Sequence, residues 1–173
     1  MNERLTTSIV LYGEIDSSDS KKWLDFYNYI VDFTTSYNLT PNYMGASAVS
    51  IKSSKISPIK RIEKKLYTSI ENNEEITSVS LYNLPDEFEI AAFDYNAYIC
   101  RTNRLTPPHI LVTFLNEVFD EVDHTKLMED MKDFINFKHG EIFKLSKLES
   151  PHIYASRANN PSTLKTLEVI CKF

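Results

Sequence analysis

The sequence predicts a mixed α/β (or α+β) fold: two similar β-α-β-α units with an antiparallel β-hairpin between them. Three observations carry this. Apolar, β-branched runs alternate with stretches of helical periodicity, proline and polar clusters punctuate them, and the order of elements before residue 102 recurs after residue 109.

In chain order, residues 8–15 (Ser-Ile-Val-Leu-Tyr-Gly-Glu-Ile) read as a buried strand. The polar Asp16–Ser20 stretch leads into a helix over residues 20–37, where Trp23, Tyr27 and Ile30 recur on one face with Phe26 and Tyr37 beside them. Pro41 forbids its continuation. Residues 43–51 read as a second strand. Ser57-Pro58 has the chemistry of a helix start, and Ile59, Ile62, Leu66 and Ile70 trace the stripe that follows. Residues 75–83 and 87–100 form a hairpin around Leu84-Pro85-Asp86-Glu87.

Residues 102–108, with Pro107-Pro108, read as a linker between sub-units 1–101 and 109–173 of one domain. Beyond it come a strand from Ile110 to Leu115 and a helix from 124 to Lys138, with His139-Gly140 as its stop signal. A strand follows at 141–148. A last helix, opened by Asn160-Pro161, bears Leu164, Leu167 and Cys171.

The duplication is read from a steady offset. Ile9, Leu11, Glu14 and Ile15 stand 103 positions before Val112, Phe114, Glu117 and Val118. After Phe119 the offset is 104, which matches Asp16, Asp19, Trp23, Tyr27, Ile30 and Val31 to Asp120, Asp123, Leu127, Met131, Phe134 and Ile135.

Composition excludes several function classes. With 173 residues and 42% hydrophobic content, one domain buries roughly 70% of its unfolded surface and needs no staple. Two cysteines, Cys100 and Cys171, are too few for a disulfide framework and read as small apolar residues. The opening Met1–Thr7 lacks the pattern of a signal peptide, and no apolar run approaches a membrane span, so a cytoplasmic location is expected. The net charge of −5 argues against a phosphate-backbone binder, so no nucleic acid and no membrane is expected as partner. The run Lys52, Lys55, Lys60, Arg61, Lys64 and Lys65 reads as the solvated face of a helix. Only three glycines occur, far apart, so phosphate-cradling loops are absent.

The histidines at 109, 124, 139 and 152 show no metal-ligand spacing with each other or with a cysteine, and no nucleophile motif is present. No cofactor, metal or catalytic residue is therefore expected. The most pointed feature is the acidic loop after each unit's first strand: Glu14, Asp16 and Asp19 in one, Glu117, Phe119, Asp120, Glu121 and Asp123 in the other. Such carboxylates can receive the basic side chains of a protein partner and steer its approach. Asp19 and Asp123 also stand where helix N-caps belong. The expected function is a non-enzymatic binding protein of the immunity or antitoxin type, which neutralises a bacterial toxin by occluding a basic surface. Two alternatives stand beside it. One is a small-ligand protein or enzyme with a site between the units, Asp120, Asp123 and His124 at its mouth; the other is a phage or bacterial accessory or scaffold protein.

Overall fold

The computed structural model describes residues 4–52 and 55–173; Met1–Glu3 of the N-terminal reading lie outside them. The elements are β1 (Leu5–Glu14), α1 (Ser20–Thr35), β2 (Tyr43–Ala48), a short β3 (Ser57–Pro58), α2 (Ile59–Glu71), β4 (Ile76–Asn83), α3 (Ala91–Asp94), β5 (Ala97–Thr102), β6 (His109–Leu115), α4 (Asn116–Phe119), α5 (His124–Met131), β7 (Asn136–Ser146), α6 (Pro151–Ala155) and β8 (Glu168–Lys172). The strands form one sheet in the order β3-β2-β4-β5-β6-β1-β7-β8, every pairing antiparallel.

β1 and β6 sit near the middle and are buried along almost their whole length, which explains their unbroken apolar runs. Successive side chains alternate between faces. Ile9 and Leu11 of β1, Ile110, Val112 and Phe114 of β6 and Ile99 of β5 point to the first face. There they meet Trp23, Phe26, Tyr27 and Ile30 of α1, Ile62 and Leu66 of α2, and Leu127 and Met131 of α5 in one core. Val10, Tyr12, Tyr98, Cys100, Leu111, Phe143 and Leu145 point to the second face, where they meet Tyr95, Tyr154 and Ala155. Short elements and loops cover that side.

Gly13 marks a break in register between β1 and β7. A Cβ there would stand 2.0 Å from the Asn136 carbonyl oxygen, so only glycine permits this backbone approach.

The chain is thus an α+β protein, and several expectations change. The β-α-β-α repeat is not confirmed by the topology. β1 and β6 are direct neighbours, but β7 pairs with β1, whereas β2 is separated from β6 by β4 and β5. The resemblance is local: Asp19 and Asp123 cap α1 and α5 in the same manner, accepting the N–H three residues on at 3.1 Å. The expected helix over 124–138 stops at Met131, a 3₁₀ turn spans Lys132–Phe134, and Asn136 to Gly140 belong to β7. The long partner strand β1 recruits those residues by pairing, which overrides their helical spacing.

The expected C-terminal helix is only a 3₁₀ turn at Pro161–Thr163. Val169, Ile170 and Cys171, two of them β-branched, instead add an edge strand to β7. Finally, Ser57-Pro58 pairs with Tyr43 and Met44 before α2 begins at Ile59, and no side chain among the described residues caps that helix. Of residues 102–108, read as a linker, Thr102 is the last residue of β5 and 103–108 are the turn between hydrogen-bonded β5 and β6, with Thr102 opposite His109. β4 and β5 pair as the expected hairpin, although thirteen residues containing α3 replace a tight turn.

Candidate functional site

The second face carries a row of short side chains across three strands. Register sets Ser80 of β4 opposite Gly45 of β2 and Cys100 of β5. A row of taller residues, Tyr43, Tyr82 and Tyr98, runs beside it. The short row leaves space above the sheet, and a cavity of about 430 Å³ opens there. Gly45, Ser78, Ser80, Tyr82, Tyr98 and Thr102 form its floor. Ala92 and Tyr95, on and just after α3, make one wall; Arg104 and Leu105 of the β5–β6 turn make another; Ser150, Pro151 and His152 at the start of α6 close the rest. α6 is held in place by Ser150, whose side chain accepts the Ile153 N–H, and by Pro151 in its first turn.

The floor is polar but uncharged. Burial pushes the Tyr82 and Tyr98 hydroxyls well above the usual tyrosine range, so both stay protonated. Their rings lie 4.7 Å apart. Arg104 Nη1 donates to Ser47 Oγ at 3.3 Å and brings a cation to the rim.

Of these lining residues, His152 also meets two buried neighbours: Cys100, His109 and His152 bring their ligand atoms within 4.8 Å of one another. The fold makes this meeting. Cys100 pairs with Leu111 and Thr102 with His109, so Cys100 and His109 are diagonal neighbours on one face of the β5–β6 hairpin. Burial drives the Cys100 thiol up to about 11 and the His109 imidazole down to about 4, so both are neutral at pH 7. His109 Nδ1 lies 2.9 Å from the Pro107 carbonyl oxygen, which can only accept. The proton therefore sits on Nδ1 and the lone pair on Nε2, which is buried and has no hydrogen-bond partner among the described residues. Burial also lowers the His152 imidazole. Its Nδ1 lies 3.4 Å from the Tyr98 hydroxyl.

The acidic loops lie elsewhere. β1 and β6 run antiparallel, so the loops that follow them leave opposite ends of the pair. Asp19 starts α1, while the Asp123 N–H donates at 3.0 Å to the hydroxyl of Tyr37, just past the end of α1. The sixteen residues between place the loops about 24 Å apart. Glu14 is paired with Lys138 and Glu117 with Arg4. Asp16 accepts from Ser18 and is exposed. Asp120 and Glu121 are exposed, but Phe119 is buried in the first-face core and stacks on His124 at 4.9 Å, so it offers no aromatic anchor.

The loop at 16–19 also serves the fold. The buried Arg101 guanidinium lies 4.1 Å over the Trp23 ring, and its Nε donates to the Phe134 carbonyl at 2.8 Å. Burial pulls its pKa down to about 10, while Asp19 and Asp16 act to hold it charged.

Sequence spacing missed the cavity residues because they gather across strands. One signal was available: a cysteine and a histidine at matched parity on either side of a short, proline-containing turn. Comparison with protein-family models, with curated proteins and with solved structures finds no match.

Proposed function

We propose that the chain is a binding protein whose site is the second-face cavity, taking a small molecule with a flat apolar body and several hydrogen-bonding groups. The observation that carries this reading is the cavity itself: about 430 Å³ over a floor of short side chains. That volume lies within the range of small-molecule sites, and a mostly apolar lining with a few converging polar groups is their usual character. Tyr82, Tyr95 and Tyr98 supply flat surfaces, Ser78, Ser80 and Thr102 supply hydroxyls, and Arg104 at the rim favours an anionic substituent. Ligand-observed NMR with a library of small metabolites tests it. Hits on the native chain should vanish in Ser80→Leu, which fills the floor without touching the first-face core. An identical hit list for both proteins would overturn the reading.

A second reading keeps a protein partner, of the immunity or antitoxin kind, at the acidic loops. The favouring observation is that Asp16, Asp120 and Glu121 are exposed and in no salt bridge among the described residues. The separation of the loops asks for a broad basic partner or for use of one loop alone. Replacing Asp16 and Asp120 by Asn should slow association with a basic toxin domain and reduce its salt dependence. An unchanged association rate at low salt would remove the loops from consideration.

A further inference from the structure

We propose that Cys100, His109 and His152 form a binding site for a zinc-class transition-metal ion, with one coordination position open toward the cavity. The site goes beyond the small-molecule reading: a metal can bind with the cavity otherwise empty, and a ligand can bind with no metal.

Two independent observations point to it. The first is the meeting of one sulfur and two imidazoles, whose ligand atoms lie within 4.8 Å of one another although His152 stands more than forty positions beyond Cys100 and His109, which share one hairpin. A tetrahedral zinc ion separates such atoms by about 3.3–3.8 Å, so modest side-chain movement closes the set. The second is the orphaned nitrogen of His109. This side chain is fully buried, its Nδ1 proton is committed to Pro107, and its Nε2 lone pair has no partner among the described residues. A buried acceptor left empty costs stability, because it has given up its hydrogen bond to water and gained none in return. A metal ion uses that lone pair directly. The Pro107 carbonyl then performs the task that outer groups perform in metal sites, fixing the tautomer and the ring orientation.

The donor set selects the class of ion. A thiolate with two imidazoles suits zinc, copper or cobalt and does not suit magnesium or calcium, which take oxygen ligands. On binding, the Cys100 Sγ–H bond gives its proton to solvent and the sulfur forms the metal bond. Three protein ligands leave a fourth position, the arrangement of zinc sites that hold water or a substrate atom. His152 lines the cavity, so that position faces it. Cys100 and His109 come from the rigid sheet, while His152 comes from the short helix α6 and supplies the adjustment the site needs.

The test is titration of the metal-free full-length chain with cobalt(II), followed by absorbance, and with zinc by calorimetry. One ion per chain is expected, with a thiolate-to-cobalt charge-transfer band in the near ultraviolet. Cys100→Ala should abolish the band, and Cys171→Ser, which alters the exposed cysteine, should leave it intact. His152→Ala removes a half-buried ligand at the cavity edge and should weaken zinc binding by more than ~100-fold, beyond the usual loss for an outer-shell group. It carries the test if Cys100→Ala does not fold. No charge-transfer band in the native chain, a band lost in Cys171→Ser, or unchanged zinc affinity in His152→Ala would each overturn the proposal. None of these readouts involves an organic ligand, so a negative result leaves the small-molecule reading to its own NMR test.

Discussion

One sheet presents two faces that differ in how they are covered. The first meets α1, α2 and α5, and its core contains Trp23, Phe26, Ile30, Met44 and Leu66, all fully buried. The second is covered by short elements: α3, α6 and the segment bearing Leu164 and Leu167. Long amphipathic helices match an apolar sheet face over many strands, and the space on that side lies at the edge of α2, beside Ile51, Arg61, Lys64 and Thr68. Short elements anchor at a few points and leave space between. The polar and titratable groups follow that division. Cys100, His109, His152, Tyr82 and Tyr98 stand on the loosely covered face, and the buried charge of the other, Arg101, is stacked on an aromatic ring and fixed by a carbonyl. Packing dominates on one side, and recognition has room on the other.

The sharpest way to break this comparison is to open the first face. Trp23 is completely buried, its Nε1 donates to the Asp16 carbonyl at 3.2 Å, and Arg101 rests on its ring. Trp23→Ala should cost about 3–5 kcal/mol through lost burial and a cavity, and it also removes the ring beneath a buried guanidinium. Urea denaturation measures this. A loss below about 1 kcal/mol would show that the first face is no better packed than the second.

A smaller effect is expected where α6 and the C-terminal strand are tied to the second side. Glu141 is buried, accepts the Tyr154 hydroxyl at 2.6 Å and faces Arg157 at 3.3 Å. Glu141→Ala leaves both donors without their acceptor, which should cost about 1–3 kcal/mol. Hydrogen exchange should show the loss first in α6, with α1 protected as before. Equal loss of protection in α1 would mean the two faces unfold as one unit.

Smaller still is the effect of substitution in the cavity floor. Ser80→Ala removes a hydroxyl from a half-buried position beside open space, and a stability change within about 0.5 kcal/mol is expected. A loss comparable to that of Trp23→Ala would mean that the floor is packed in solution.

Much of the first face was legible in the sequence, because helical periodicity reports burial along one element. Trp23, Tyr27, Ile30, Ile62, Leu66, Leu127 and Met131 all lie in that core. What escaped is what depends on pairing. Residues 136–138 are helical by spacing and belong to the strand that pairs with β1, and residues 168–172 take their state from β7. The two acidic loops match in offset but not in place, since the antiparallel pairing of β1 and β6 sends them to opposite ends. The cavity and the cluster beside it were hidden for the same reason: Ser80, Cys100, His109 and His152 have no common spacing, and only the register of three strands together with α6 brings them near one another.

The smallest expected effect concerns the α3 wall. Asp94 Oδ2 accepts the N–H groups of Ile90 and Glu89, each at 2.7 Å, and so ties the start of this four-residue helix. The backbone hydrogen bond from Ile90, followed by that from Glu89, holds its carboxyl below the usual range. The carboxylate is therefore favoured by folding. Its contribution is complete above the unfolded value of about 3.9 and is lost as pH falls through the lower folded value. Glu14, Asp16, Glu74 and Asp130 are shifted in the same direction, so acid weakens the whole chain in this window. The Asp94→Asn variant separates its share, since Asn keeps an acceptor oxygen and removes the charge. Melting curves of the two proteins should differ slightly at pH 7, and the difference should shrink as pH falls through the lowered folded value of Asp94. If the difference stays constant across that range, the bonds to Ile90 and Glu89 owe nothing to ionisation, and the cavity wall is held by Ala91 and Tyr95 packing on the second-face core.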